Sequence, residues 1–367
     1  MHLTTEKFDR KLILENGQEY YGWGFGAKTE KICELVFNTS MAGYQEIISD
    51  PSYAYQAVVM TYPLIGNYGC AADDYETETP SIGALIVREY CEEPSNFRCE
   101  DLLETVLERY GIPGISGIDT RKLTRVIRDN GCQRVLITDI SCPLEKGLDI
   151  IRSTPLPTDA VPRVSSKTAR FYPADHELFH VAAIDCGMKL NILRSLLGRR
   201  CSVTVLPYNV SPDEIAALKP DGVFISNGPG DPADVPETIN TIRSLIGKYP
   251  VFGICLGHQI IALACGAQTY KLKFGHRGGN HPVKDLNTGK ISITSQNHSY
   301  AVDEKSLSGT ILEVTHINLL DNTVEGASSE ENMIFGVQYH PESSPGPHDS
   351  SYLFDRFTDM MRKNKNA

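Results

Sequence analysis

Residues Pro250 to Ala264 constrain this chain more than any other stretch. Val251, Phe252 and Ile254 are β-formers, and Ile260, Ile261, Ala262, Leu263 and Ala264 read as an apolar helix. Between them Gly253-Ile-Cys-Leu-Gly257 has the form G-x-C-x-G, the thiol version of a nucleophile elbow. The spacing has a steric reason. A side chain on a sharp strand-to-helix turn sits on strained backbone, and side chains two residues to either side would collide, so both places are glycine. The turn sets Cys255 near a helix N-terminus, where the dipole favours thiolate. It also leaves the N–H of Leu256 available to an oxyanion. A buried cysteine between a core strand and a core helix is the competing reading, since free Cys packs as a small hydrophobe. The paired glycines bring the two readings level.

A length of 367 residues suggests two domains, and 41% apolar with 22% charged residues is ordinary for a globular protein with full cores. A formal charge of −11 argues against a general binder of phosphate backbones, so no nucleic-acid partner is expected. Val251 to Cys265 is the most apolar long stretch; it is too short to span a bilayer and carries Gly253, Gly257, His258 and Gln259. With no signal-peptide pattern either, the expectation is a soluble cytoplasmic protein without membrane partners. The 10 cysteines form no C-x-x-C pair, which fits reduced thiols better than disulfides or zinc.

The expected fold class is α/β: a β-rich α+β domain over residues 1–150, a linker over 151–178, and a mainly parallel, helix-flanked sheet over 179–367. In the first part Lys11 to Tyr20 reads as a hairpin around Asn16-Gly17. Cys33–Asn38, Ala57–Thr61 and Ile82–Glu89 are further strands, and Leu102–Tyr110 and Thr120–Asn130 are helices stopped by Gly111 and Gly131. The linker is assigned on prolines and polar residues without periodicity. From His180 strands and helices alternate up to the elbow, which implies βαβ units. The loops after Ile225 and Ile254 then lie at carboxyl ends of strands, where open α/β sheets bind ligands.

A catalytic cysteine needs a base, and the base needs an orienting group. His340-Pro-Glu342 follows the apolar strand Ile334–Tyr339 and supplies both, with Pro341 stiffening the link. Alone the tripeptide reads as a surface turn; beside G-x-C-x-G it becomes a candidate Cys-His-Glu triad. Ser226-Asn-Gly-Pro-Gly-Asp-Pro232 is either a tight βα loop or an anion-stabilising nest, in which the N–H of Gly228 would face that of Leu256.

Phe252-Gly-Ile-Cys-Leu-Gly-His-Gln259, Asn227-Gly-Pro-Gly-Asp-Pro232 and His340-Pro-Glu342 resemble the triad-type (class I) glutamine amidotransferases. Val36 to Glu46, Tyr62-Pro-Leu-Ile-Gly-Asn67, Gly111 to Thr124 and Ser344-Pro-Gly-Pro-His348 narrow this, being similar to the small-subunit family of carbamoyl-phosphate synthases. The resemblance covers roughly Lys11 to Phe357. It implies a subunit that hydrolyses L-glutamine and passes ammonia through a tunnel to a large synthetase subunit. That partner makes carbamoyl phosphate from bicarbonate and ATP for arginine and pyrimidine synthesis. It also implies Cys255 as nucleophile, His340 as acid/base and Glu342 as orienter, with glutamine contacts at Ser40, Gly228, Gly230, Leu256, Gln259, Asn297, Ser299 and Tyr300. Ser40 belongs to the first domain, so the glutamine pocket is expected at the interdomain crevice. Ser299 stands where the family usually has glycine, a strained substitution only if φ there is positive.

No cofactor is expected in this chain, which has no ATP-grasp or phosphate-loop motif; ATP and magnesium are expected on the large subunit. No metal is expected either, with His276, His281 and His348 read as solvated loop histidines. Three rivals stay open: an amidotransferase subunit for anthranilate or guanylate synthesis, a γ-glutamyl thiol peptidase working alone, and a silent binding subunit. The first would lack the residue 1–150 domain, the second needs no partner, and the third has no use for an intact triad.

Overall fold

The computed structural model describes residues 7–366. The first six positions of the expected first domain, and Ala367 at the end of the second, lie outside them. The chain divides into two compact units, Met1–Pro157 and Thr158–Ala367.

The first unit is built on a closed seven-stranded barrel. Its order is Arg10–Leu14, Glu19–Gly26, Pro113–Ser116, Ala84–Ile86, Gln56–Met60, Lys31–Asn38 and Gln133–Asp139, which returns to the first strand. The expected Asn16-Gly17 turn is present: Gly17 takes φ 84°, and the N–H of Gln18 donates to Asn16 Oδ1 at 3.0 Å. Leu35, Val36, Ala57, Val58, Leu85 and Ile115 are fully buried on these strands. The helices Leu103–Arg109 and Thr120–Asn130 lay Val106, Leu107, Leu123 and Ile127 into the interior.

The second unit is a ten-stranded sheet flanked by helices. Its centre is five parallel strands in the order Cys201–Pro207, Phe179–Asp185, Gly222–Ile225, Val251–Ile254 and Ile334–Val337. Parallel strands lie between helices and are apolar on both faces, and every residue of Val251–Ile254 is buried. On one face Phe252 stacks on Phe335 at 4.3 Å and meets Phe224 edge-on at 5.3 Å. The C-terminal helix Tyr352–Lys365 closes that face with Phe354 and Phe357, both fully buried. Each such phenylalanine contributes about 2–3 kcal/mol by leaving water.

The other five strands run antiparallel. Val324–Ser329, Glu313–Asn318, Thr269–Asp285 and Ile291–Val302 continue the sheet beyond Ile334–Val337, so the sheet is parallel only in its central part. No strand is expected from the sequence between residues 266 and 333. The long hairpin of Thr269–Asp285 and Ile291–Val302 hides there because its positions are largely polar and its pairing is broken by two register shifts.

The expected linker is also corrected. Residues 151–178 include the end of the helix Leu144–Ser153, a short helix Ala160–Val164 and the edge strand Arg170–Tyr172, which pairs with Cys201–Pro207. Val161 joins the core of the second unit. Five residues of helix and three of strand are too short for periodicity to register.

Candidate active site

The elbow follows from its glycines. Cys255 holds φ 54° and ψ −103°, a backbone conformation that side-chain-bearing residues rarely adopt. A Cβ on Gly253 would lie 2.6 Å from the carbonyl group of Gly257, and one on Gly257 would lie 2.3 Å from the carbonyl oxygen of Ile225. Neither position admits a side chain. The helix Leu256–Ala264 starts directly after Cys255, and its N-terminal N–H groups have no partner within the helix.

Val251–Ile254 and Ile334–Val337 are parallel neighbours in register Ile254↔Val337, and the N–H of Cys255 donates to Val337 O at 2.8 Å. The thiol and the His340 imidazole therefore emerge at the same end of adjacent strands. The His340 N–H is tied to Ser295 O at 2.9 Å. Its ring Nδ1 lies 2.6 Å from Glu342 Oε1, and Nε2 has no further protein partner. Both side chains are buried.

Burial disfavours charge on both groups, yet the pair is arranged to be ionic. His340 is pushed well above the ordinary histidine range: burial opposes the shift, but the Glu342 carboxylate and the Cys255 thiol outweigh it. Glu342 is held well below the usual carboxylate range, because Lys189 and His340 outweigh its burial. Glu342 thereby favours the protonated imidazole, with Nδ1–H directed at the carboxylate and Nε2 facing away from it.

Lys189 was not singled out in the sequence. Its ammonium is buried, lies 3.0 Å from Glu342 Oε1 and also donates to Ser343 O. Asn191 adds a side-chain hydrogen bond to the Glu342 carbonyl. Lys189 precedes the helix Leu190–Leu197, 153 positions before its partner, where a lysine reads as a solvated helix start.

Gln338 is the second unforeseen residue. Its Nε2 donates to Cys255 Sγ at 3.6 Å, and its Oε1 accepts from Gln259 Nε2 at 2.9 Å. Gln259 also donates to Tyr300 O at 2.7 Å, and the Cys255 thiol donates to Asn297 O at 3.6 Å. Gln259, Asn297 and Tyr300 are thus gathered at the thiol through two amides and two strand carbonyls. A polar residue inside the apolar run Ile334–Tyr339 was the signal for Gln338.

The 226–232 loop is braced from the strand Phe179–Asp185 and the residues after it. Cys186 N–H donates to Ser226 Oγ at 2.9 Å, and Lys189 N–H to Asn227 Oδ1 at 3.2 Å. A Cβ on Gly228 would fall 2.2 Å from Cys186 O and 2.8 Å from the Leu256 side chain, so Gly228 and Leu256 are neighbours. Gly230 takes φ 88°, which explains a second glycine there. Ser299 lies in the strand Ile291–Val302, outside the left-handed region, and its hydroxyl accepts from Arg277. A side chain is unstrained at that position. Ser40 lies in the first unit, where its N–H donates to Asn38 Oδ1 at 2.7 Å beside a pocket of about 250 Å³ lined by Tyr44, Met60, Tyr62 and Tyr68.

The histidine reading is corrected as well. His276 is buried and His281 half-buried on the strand Thr269–Asp285; only His348 is exposed on a turn.

Residues 182–360 match the family model for class-I glutamine amidotransferases, and residues 12–137 match that for the CPSase domain of the carbamoyl-phosphate synthase small chain. The carbamoyl phosphate synthase small chain of Fusobacterium nucleatum subsp. nucleatum is 51% identical over 97% of this chain and 99% of its own length. That of Bacillus caldolyticus is 55% identical over 96% and 97%. The pyrimidine-specific small chain of Bacillus subtilis is 53% identical over 96% of each. Among the described residues no helix is long and apolar enough to cross a membrane. Two domain matches in the right order, on a chain whose relatives align end to end, place it in the carbamoyl-phosphate synthase small-chain family, as a glutamine-hydrolysing enzyme subunit with a class I amidotransferase half.

Proposed function

We propose that this chain hydrolyses L-glutamine through a thioester on Cys255 and delivers the ammonia to a large carbamoyl-phosphate synthase subunit. The observation that carries the reading is a buried thiol on a strained elbow, one strand away from an imidazole that is already paired with a buried carboxylate. The sulfur attacks the γ-carboxamide carbon as thiolate. The oxyanion is held by the N–H groups of Gly228 and Leu256, which need no rearrangement as charge develops. Protonated His340 gives its proton to the leaving nitrogen, because amide ion is too basic to depart unaided. After ammonia leaves, His340 takes a proton from water, which attacks the thioester and releases glutamate. Glu342 keeps the imidazolium oriented throughout, and Lys189 keeps Glu342 ionised.

Glutamine is held by Gln259, Asn297, Ser299, Tyr300 and Gly230 of the second unit. ATP, bicarbonate and magnesium act on the partner, in the cytoplasm. The product serves pyrimidine and arginine synthesis, a reading supported by the pyrimidine-specific name of the Bacillus subtilis relative. The deciding experiment measures glutaminase rate for the chain alone and with a co-purified large subunit. Acid quenching with labelled glutamine should trap label on Cys255. A chain with full steady activity and no capturable synthetase would instead be a free-standing peptidase.

Two substitutions probe the parts. Gly228→Ala forces its loop off Cys186 O. It should lower kcat about 10²–10³-fold, the cost of one oxyanion donor, with little change in KM. An unchanged kcat removes Gly228 from the hole. Gly346 takes φ 140°, and a Cβ there would lie 2.8 Å from Ser295, the residue bridged to His340. We assign it to the wall of the ammonia exit. Gly346→Phe should lower the carbamoyl phosphate formed per glutamine hydrolysed several-fold, whatever its effect on the hydrolysis rate; a preserved ratio places the exit elsewhere.

A further inference from the structure

We propose that His276, His298 and Glu325 form a binding site for a borderline divalent transition ion, Zn²⁺ being the best match, separate from the thiol chemistry. His276 and His298 face each other across the hairpin, directly paired in register, with rings 4.9 Å apart at 86°. Glu325 comes from the strand Val324–Ser329 and is fully buried. One donor atom from each of the three lies within 4.8 Å of the others.

The reason to read a ligand here, rather than a polar knot, is how each side chain is held from behind. His276 Nε2 is 2.9 Å from Asp321 Oδ2, which leaves Nδ1 turned inward. That Nδ1 is buried without a hydrogen-bond partner, 3.7 Å from Glu325 Oε1. His298 Nδ1 lies 2.8 Å from Tyr300 O and its Nε2 lies 3.1 Å from Gln296 Oε1, so a metal ion would take Nε2 from that amide oxygen. Glu325 Oε1 accepts from Asn318 Nδ2 at 3.0 Å, and Oε2 is buried with no partner. Metal-binding histidines characteristically give their second nitrogen to a carboxylate or a backbone carbonyl, and ligating carboxylates are themselves hydrogen-bonded. All three residues satisfy that pattern; His276 and Glu325 each keep a buried atom without a partner, and His298 would exchange Gln296 for the metal.

The donor set selects the ion. Two imidazoles and one carboxylate suit Zn²⁺ and its neighbours; Mg²⁺ and Ca²⁺ prefer all-oxygen shells. Donors around tetrahedral zinc sit about 3.4 Å apart for bonds of about 2.05 Å. Closing the present separations asks for about 1.4 Å of side-chain movement at most. His281 stands nearby, its ring 5.2 Å from that of His276 and its Nδ1 also without a partner. The buried carboxylate of Glu325 needs a counter-charge. The competitor for that role is a proton on His276, whose pKa rises to about 9: burial opposes this, and Asp321 and Glu325 outweigh it.

The test titrates the full chain, stripped with a chelator, with Co²⁺ and then Zn²⁺. One equivalent of Co²⁺ should give a visible tetrahedral or five-coordinate spectrum without a sulfur-to-cobalt charge-transfer band, and Zn²⁺ should displace it and raise Tm. Mg²⁺ should do neither. Glu325→Gln and His276→Gln should each weaken binding at least about 100-fold, and Asp321→Asn about 10-fold through the orientation of His276. Folding of each variant is checked by circular dichroism. Absence of saturable binding in the unaltered chain overturns the proposal and leaves the proton in the role. So does a charge-transfer band, which would mark capture by one of the 10 cysteines. Equal affinity in the folded Glu325→Gln chain overturns it too.

Discussion

Cys255→Ser should abolish glutamine-dependent carbamoyl phosphate formation by the assembled enzyme, by at least about 10³-fold, while ammonia-dependent formation continues. The substitution removes one kind of atom and little else. Serine keeps a hydrogen-bond donor for Asn297 O and an acceptor for Gln338 Nε2. It inherits the same φ of 54°. What it lacks is the sulfur nucleophile: a serine hydroxyl is intrinsically a far weaker acid than a cysteine thiol. The two assays separate the possible failures. Surviving glutaminase activity would remove Cys255 as nucleophile, whereas joint loss of both activities would point to a defect in assembly rather than chemistry.

Lys189→Met should be the most damaging change outside the triad. The ammonium is the only lysine reaching Glu342 among the described ion pairs, and both ends are buried. Removing one partner of such a pair typically costs about 3–5 kcal/mol, because the remaining charge stays desolvated. The pH dependence gives a second readout. Glu342 is held below its unfolded value of 4.5, so its contribution to stability is present above that value and is lost as pH falls through the folded pKa. Without Lys189 the folded pKa rises, and both the acid limb of stability and the acid limb of kcat should move to higher pH. A purely structural lysine would shift stability and leave the kcat profile in place. If neither limb moves, Lys189 does not act through Glu342.

The candidate site was legible where chemistry demands particular residue types at short spacing. G-x-C-x-G and H-P-E are local patterns, and local patterns survive in one dimension. Lys189 was not legible, because its meaning depends on a carboxylate 153 positions away. The alternation of buried strands and helices from Phe179 to Ala264 reads directly from apolar runs. The hairpin from Thr269 to Val302 does not, since its residues are chosen for a polar interior as much as for a pleat. His276 shows the same limit: its neighbours in sequence are glycine and arginine, but its neighbours in space are His298, Asp321 and Glu325. In the first unit the Asn-Gly turn and the glycine helix stops were visible. Closure of seven strands into a barrel was not, because strand order is a long-range property.

The backbone at Cys255 also sets folding against reactivity. A side chain held at φ 54° and ψ −103° costs on the order of 1–3 kcal/mol, and glycine would relieve most of it. On the proposed mechanism, a chain with glycine at position 255 is more stable and has no glutaminase chemistry. With Cys255 as the proposed nucleophile, reactivity is carried by the least relaxed residue of the elbow.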